Sequence, residues 1–235
     1  MEKIRIQKLI SQAGISSRRA AEDLILKKRV KINGVIAKIG DKASLEDVIL
    51  VDEKVISKEE KVYYLLNKPK NVVTTLKDNF NRSIITDFID EKKYKIFPVG
   101  RLDYDTTGII ILTNDGETAN KLLHPKYEIP RIYEVIIDKE LSLEEIKYLN
   151  SQEVFLNSKK SFQEVSKISN YKYKIKLHQG SYHHIKKLFE IVGKKVKDLN
   201  RTEYAFFNLE NLSIGNYRKL NKHEIDRLLN FVKNK

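Results

Sequence analysis

The chain has 235 residues, of which 41% are hydrophobic and 33% are charged, a composition typical of a globular protein with one or two domains. It contains no cysteine, which excludes disulfide bonds and thiolate metal sites. No apolar run reaches the about 18 residues that indicate a membrane-spanning helix, so we expect a cytoplasmic protein that does not bind a membrane. The 45 Lys and Arg residues against 32 Asp and Glu residues give a net charge of +13, which favours nucleic acid over an acidic membrane surface as the partner.

The first 42 residues predict two short helices followed by a strand hairpin. Apolar residues at helical spacing over 4–13 indicate the first helix, which Gly14 ends, and Ser16 or Ser17 caps the second. Asn33-Gly34 is typical of a tight turn between two strands. This segment carries eleven basic and four acidic residues, a net +7. The acidic, polar stretch 52–61 that follows is predicted to be a linker.

The basic residues of this segment permit two interpretations. They can simply solvate a small helical hairpin, or they can form a surface that grips phosphate groups without reading sequence. The second interpretation selects five residues at the starts of the second helix and the first strand: Arg18, Arg19, Lys27, Lys28 and Arg29. The helix-helix-strand order with Val30-Lys31-Ile32-Asn33-Gly34 resembles the S4 RNA-binding domain, which favours the RNA-binding interpretation.

The rest of the chain mixes strand and helix patterns without regular βαβ spacing. Apolar or alternating runs predict strands at 62–66, 109–113, 132–137 and 171–177. Helices are predicted over 117–123 and from an N-cap at Ser181 to a stop at Gly193. This order favours an α+β fold with a mostly antiparallel sheet.

One loop carries the strongest sign of chemistry. Its sequence, Val99-Gly100-Arg101-Leu102-Asp103-Tyr104-Asp105-Thr106-Thr107-Gly108, places an Arg and an Asp two positions apart directly before an apolar strand. Loops on rigid strands often carry catalytic groups. The pattern by itself also fits a turn in which Asp103 or Asp105 caps backbone amides and Arg101 pairs with one of them.

A resemblance to a known family, carried by this loop and three further blocks, favours the catalytic interpretation. The loop and its continuation to Leu112-Thr113-Asn114-Asp115-Gly116 resemble the signature of the RsuA/RluB-type ribosomal RNA pseudouridine synthases. Three further blocks match in the same order: Leu66-Asn67-Lys68-Pro69, Arg131-Ile132-Tyr133-Glu134-Val135 and Gly180-Ser181-Tyr182-His183-His184-Ile185-Lys186-Lys187. With the S4-like segment in front, the resemblance covers essentially the whole chain.

The resemblance implies a role for each matching residue. Pseudouridine forms when the N1–C1′ bond of a uridine breaks, the base rotates and C5 rejoins the sugar, which needs no cofactor and no metal. Asp103 is then the catalytic carboxylate, as either a nucleophile or a base for a ribose proton. Arg101 fills the space left by the flipped nucleotide, and Tyr133 stacks on the flipped uracil. Ile185 packs the base pocket, and Lys186 pairs with Asp103.

Several positions depart from the family pattern or invite another interpretation. Asn71 stands where a Gly is usual, and we expect Asn to support the same left-handed turn. His184 stands where a Gln is usual, and Ser181 where a basic residue is common. The five histidines lack the spacing of a metal site, so Tyr182-His183 is expected to line the nucleotide pocket or to cap the helix.

The sequence therefore predicts an S4-like RNA-binding domain over 1–58 and a catalytic domain over 59–235, acting as a monomer on ribosomal RNA or a ribosomal subunit precursor. The small subunit is favoured as the target over the large subunit. Two other functions are considered: a catalytically inactive S4-domain RNA-binding factor in ribosome assembly, and a DNA-binding protein. The intact Asp103, Tyr133 and Lys186 argue against the first, and the lack of a major-groove reading motif argues against the second.

Overall fold

The computed structural model describes residues 3–44 and 46–234, which form two structural units. The first unit comprises the residues up to Val62 together with Lys93–Lys95 and Asn114–Gly116, and the second comprises the remainder. No helix in the described part of the chain is long and apolar enough to cross a membrane. The division predicted at residue 58 stays a prediction, for which a truncation experiment is given below.

The first unit contains two helices and six short strands: β1 (Ile4–Arg5), α1 (Ile6–Gln12), α2 (Arg18–Leu26), β2 (Val30–Ile32), β3 (Val35–Ile36), β4 (Lys42–Ala43), β5 (Ile49–Val51) and β6 (Lys54–Val55). Of the two serines predicted to cap α2, Ser17 does so, since its hydroxyl accepts the Ala20 N–H at 3.2 Å. Strands β3, β2, β5 and β6 form one antiparallel sheet in that order, and β1 pairs with β4. The helices bury Ile6, Ile10 and Ile25 in a core of this unit's own.

The predicted linker at 52–61 is wrong at its beginning. Asp52 and Glu53 both have positive φ, +52° and +61°, and form the two-residue turn of the hairpin that joins β5 to β6. Their carboxylates pair with strand neighbours, Asp52 with Arg29 at 2.5 Å and Glu53 with Lys31 at 2.7 Å. Acidic, polar residues at this position therefore belong to a folded hairpin.

The described part of the second unit contains four α-helices, two short 3-10 helices (Ile85–Phe88 and Pro125–Tyr127) and eleven strands. The strands and α-helices are β7 (Tyr63–Lys68), β8 (Phe97–Pro98), β9 (Thr107–Thr113), α3 (Gly116–Leu123), β10 (Arg131–Ile137), α4 (Leu143–Leu149), β11 (Phe155–Leu156), β12 (Lys159–Lys160), β13 (Gln163–Lys167), β14 (Lys172–Leu177), α5 (His184–Glu190), β15 (Val196–Tyr204), β16 (Phe207–Asn208), β17 (Tyr217–Lys219) and α6 (Lys222–Lys233). The first residue of α3, Gly116, belongs by contacts to the first unit. Each predicted strand is present within two residues of its expected bounds. The α+β architecture is as predicted.

A nine-stranded sheet organises the second unit, with the main order β13-β14-β10-β15-β9-β7-β17. All neighbouring pairs of this path are antiparallel except β9 and β15, where Gly108 is opposite Arg201 in a parallel pair. A Cβ on Gly108 would lie 2.2 Å from the Arg201 carbonyl oxygen, so this close approach requires glycine. Apolar residues of β7, β9, α3 and α6 pack together, with Leu65, Ile109, Ile111 and Leu228 fully buried.

Candidate active site

The loop between β8 and β9 is held on both sides of Asp103. The Val99 N–H donates to Ile111 O at 2.7 Å, and the Thr106 N–H donates to Asp103 O at 3.1 Å. Between them, the Thr74 hydroxyl donates to Leu102 O at 2.7 Å. These bonds fix the backbone on either side of the carboxylate, so the position of Asp103 is set by the sheet.

The carboxylate of Asp103 is partly buried beside two side chains of the α5 region. Lys186 Nζ lies 3.7 Å from its Oδ2, and His183 Nε2 lies 3.8 Å from its Oδ1. Both distances exceed those of direct hydrogen bonds, so the carboxylate of Asp103 interacts with the Lys186 ammonium group mainly through charge. The structure therefore places Lys186 within ion-pair range of Asp103.

Asp105 is a closer partner of Lys186 than the sequence predicted. Lys186 Nζ donates to both carboxylate oxygens of Asp105, at 2.7 and 2.8 Å. Burial acts to raise the pKa of Asp105, but the hydrogen bonds and charge of Lys186 outweigh it and lower that pKa below its ordinary value. Lys186 is thus shared by two carboxylates, because both aspartates lie on the same loop two positions apart.

A cavity of about 410 Å³ in the second unit brings the five predicted site residues together. Its lining includes Arg101, Asp103, Tyr133, Ile185 and Lys186. Tyr133 lies on the buried face of β10 and Ile185 in the first turn of α5, and each is under 10% exposed. Arg101 is exposed at the rim. The cavity therefore presents a carboxylate, a lysine and an aromatic ring to the same volume.

The start of α5 differs from the prediction. The N-cap residue is His183, with φ of +53° and no capping hydrogen bond from its side chain, so Ser181 is not the cap. Ser181 does not cap the helix because it begins a turn, in which the His184 N–H donates to Ser181 O at 3.2 Å. Tyr182 and His183 stack at 3.8 Å between ring centroids, and both line the cavity as predicted.

Asn71 adopts the left-handed conformation predicted for it. Its φ is +63°, and its N–H donates at 2.8 Å to the carbonyl oxygen of Tyr104 in the Asp103 loop. The turn that usually contains a Gly is therefore formed with Asn, because Asn is the residue after Gly that best tolerates this conformation.

Lys68 is a buried cation beneath the loop that the sequence analysis did not select as a site residue. Its Nζ donates to the carbonyl oxygens of Pro69 at 2.8 Å and Thr106 at 2.9 Å. Burial lowers the pKa of Lys68 to about 8, while the charges of Asp105 and Asp103 act in the opposite direction. The available signal for this site was a charged residue, Lys68, in a strand whose residues are all buried.

Arg201 is a second buried cation that was missed. It lines the cavity at 2% exposure, and its Nε donates to Ile109 O at 2.8 Å. Its guanidinium carbon lies 6.0 Å from the Tyr133 ring centroid and 4.8 Å from that of Tyr204. No local pattern marked this position, because Arg201 lies in β15, a strand that the periodicity did not predict.

In the first unit, all five predicted RNA-binding residues are exposed on α2 or directly after it. Arg29 differs from the other four, since its guanidinium donates to both oxygens of Asp52 at 2.5 and 2.6 Å. For Arg18, Arg19, Lys27 and Lys28, no ion pair with a described carboxylate is present. Four of the five therefore have no carboxylate partner among the described residues.

Comparison with known proteins identifies the class to which this arrangement belongs. The family model described as RNA pseudouridylate synthase matches residues 62–190, and the S4 domain model matches residues 4–49. The chain therefore belongs to the RNA pseudouridylate synthase family and carries an S4 domain, which confirms the resemblance found in the sequence.

Individual relatives extend over almost the whole chain. Ribosomal large subunit pseudouridine synthase B of Bacillus subtilis (strain 168) is 40% identical, over 95% of each chain. The dual-specificity RNA pseudouridine synthase RluF of Escherichia coli (strain K12) is 34% identical, over 98% of this chain and 80% of that one. A crystal structure of a pseudouridylate synthase superposes with a TM-score of 0.70 at 29% identity, over 96% of this chain and 99% of that one. The chain is an RNA pseudouridine synthase.

Proposed function

We propose that this enzyme isomerises a specific uridine in the ribosomal RNA of the large subunit, with Asp103 as the catalytic carboxylate. The observation that carries the proposal is that Asp103 and Tyr133 line the same cavity, in which Asp103 lies 3.7 Å from the Lys186 ammonium group. The sequence analysis favoured the small subunit, a preference that the comparisons do not support. The Bacillus subtilis relative is named for the large subunit, and it aligns with both units of this chain.

The cavity suits the proposed reaction. The N1–C1′ bond of the uridine breaks, the base rotates in place, and a C5–C1′ bond forms as C5 loses a proton and N1 gains one. Asp103 acts on this nucleotide either by attack or by removing a ribose proton, and both roles require the ionised carboxylate. Lys186 and His183 lie beside the carboxylate, while Tyr133 and Ile185 offer apolar surface against which the base is held during rotation.

Mapping of pseudouridine tests the target. Ribosomal RNA is compared from cells that have the gene, cells that lack it, and cells complemented with the Asp103→Asn variant. We expect one large-subunit uridine to lose its modification on deletion and to regain it with the wild-type gene only. A loss confined to small-subunit RNA would contradict the large-subunit target. Unchanged modification with impaired subunit assembly would instead support the inactive assembly factor.

A further inference from the structure

The geometry points to a second RNA-binding surface on the catalytic unit, the hairpin formed by β11 and β12 with its flanking residues. This inference rests on the proposed function, because it takes ribosomal RNA as the substrate. The hairpin lies beside the cavity, outside the residues that handle the uridine. It would bind RNA next to the target nucleotide through phosphates and stacked bases.

The shape of the hairpin presents side chains to solvent. Asn157 and Ser158 have φ of +51° and +63° and form a tight two-residue turn. Leu156 is buried and anchors the hairpin, while Phe155 is 52% exposed. Phe155 is directly opposite Lys160, so the ring and the ammonium group extend from the same face.

Among the described residues, no carboxylate neutralises the charge of the hairpin. Lys159 and Lys160 are exposed, and no described carboxylate forms an ion pair with either. The lysines of neighbouring β14 behave differently, since each has a glutamate partner: Lys172 with Glu134 at 2.6 Å, Lys174 with Glu203 at 3.8 Å and Lys176 with Glu164 at 2.8 Å. The ammonium groups of Lys159 and Lys160 can therefore bind phosphate without breaking an ion pair with a described carboxylate.

A chain of polar side chains, buried at Ser161 and Gln163, attaches the hairpin to the start of α5. The Ser181 N–H donates to His184 Nδ1 at 3.3 Å, so Nε2 of the neutral ring carries the hydrogen and donates to Ser161 Oγ at 2.9 Å. The Ser161 hydroxyl in turn donates to Gln163 Oε1 at 2.7 Å. His184 therefore joins the residue that follows β12 to the helix that carries Lys186.

A path of basic and aromatic side chains connects the cavity to the hairpin. Tyr182 lines the cavity, and Lys187 Nζ lies 5.5 Å from its ring centroid. The same ammonium group donates to Asn157 Oδ1 at 3.4 Å. Lysines that neutralise phosphates, interleaved with exposed rings on which bases stack, are typical of surfaces that bind single-stranded RNA.

Matched charge variants test the inference. Lys159→Gln with Lys160→Gln removes two free charges, and Lys172→Gln with Lys176→Gln removes two paired charges from the same unit. The probe is large-subunit RNA from a Bacillus subtilis strain that lacks the 40% identical synthase. We expect the hairpin variant to raise Kd and KM roughly tenfold, with kcat within about twofold, and to reduce the salt slope of log Kd by about 1.5. The control should stay near wild type.

Phe155→Ala probes stacking separately, with Tyr171→Ala as its control because Tyr171 is similarly exposed at 53%. We expect Phe155→Ala to weaken binding about fivefold without changing the salt slope, since stacking releases no counterions. Equal Kd values and salt slopes for the hairpin variants and their controls would overturn the inference. If the wild type bound this RNA but formed no pseudouridine in it, the large-subunit proposal would fail, while the binding comparison would still decide the role of the hairpin.

Discussion

At the scale of single residues, the loop offers two carboxylates to one lysine, and their environments differ. Asp103 has a side chain 27% exposed and lies in the cavity lining, whereas Asp105 is 61% exposed and takes both hydrogen bonds from Lys186. A group that acts on a flipped nucleotide must face the cavity, and Asp103 does so. Asp105 holds Lys186 in place beside it.

Asp103→Asn should abolish pseudouridine formation while RNA binding stays within a few-fold of wild type. The amide keeps the size of the side chain but can neither attack the sugar nor take a proton. Asp105→Asn is the matched control and should retain turnover with a moderate loss. The release of tritium from RNA labelled at C5 of uridine measures the turnover of both variants. Turnover by purified Asp103→Asn would rule out the assignment.

Lys186→Met should reduce kcat/KM by about 1–3 kcal/mol of transition-state stabilisation, because two carboxylates lose their shared cation. This loss of transition-state stabilisation is smaller than that for a fully buried ion pair, because the Lys186 side chain is 23% exposed. Lys187→Met, one position along α5, should weaken RNA binding and leave kcat near wild type. Single-turnover kinetics at saturating enzyme separates the two. Equal small losses confined to binding would show that Lys186 is an ordinary surface charge.

At the scale of elements, α5 depends on contacts outside itself for its position. Its first turn has no side-chain cap, and its N-cap residue is left-handed. The hydrogen bonds of His184 to Ser181 and Ser161 compensate by tying the helix to its neighbours. Lys186 and Ile185 follow directly, so the geometry of the cavity depends on this histidine.

His184→Ala should cost about 1–3 kcal/mol of stability, because it leaves partly buried polar groups without a partner. His184→Gln, the residue usual in the family, should restore part of that loss.

The pH dependence of stability is a further check on His184. Burial lowers the pKa of His184 to about 4, so between pH 6.5 and 4 the unfolded state binds the proton more readily. As pH falls from 6.5 to 4, the free energy of unfolding of the wild type should therefore decrease more steeply than that of His184→Gln, as measured by urea denaturation. Parallel pH profiles would contradict a buried neutral ring.

At the scale of the whole molecule, each unit has its own apolar core. The net charge of +13 is also unevenly distributed, since residues 1–42 carry +7 of it. Glu60, which a truncation after residue 58 would keep, accepts a hydrogen bond from Tyr94 at 2.7 Å. The hydrogen bond from Tyr94 to Glu60 would therefore remain in a chain that lacks residues 1–58.

Removing residues 1–58 should leave a catalytic unit that folds cooperatively but binds RNA poorly. Its binding should also depend less on salt, since each lost phosphate contact reduces the slope by about 0.7–0.9. The full-length chain with Arg18, Arg19, Lys27 and Lys28 changed to Gln is the matched control and should reproduce most of the loss. Thermal unfolding and salt titrations of RNA affinity test this. An unchanged affinity and slope after truncation would contradict RNA binding by the S4 domain.

The sequence by itself determined the local structure and the family. Periodicity located four strands of the large sheet but not β15, its longest, Asn33-Gly34 marked a hairpin, and the Arg101-Leu102-Asp103 block carried the family resemblance. These features depend on neighbouring residues, whose conformational preferences act over a few positions. The family resemblance added Tyr133, Ile185 and Lys186, which no local pattern distinguishes.

Tertiary structure alone decided which groups meet. It paired Lys186 with Asp105 as well as Asp103, formed a hairpin from the beginning of the predicted linker, and placed the left-handed His183 where a serine cap was expected. It also brought His184 to Ser161, 23 positions away in sequence, and buried Lys68 and Arg201 beside the cavity. Such pairings depend on how strands and helices pack. The energy of each contact is set by burial and distance in the folded chain, which residue type and spacing do not specify.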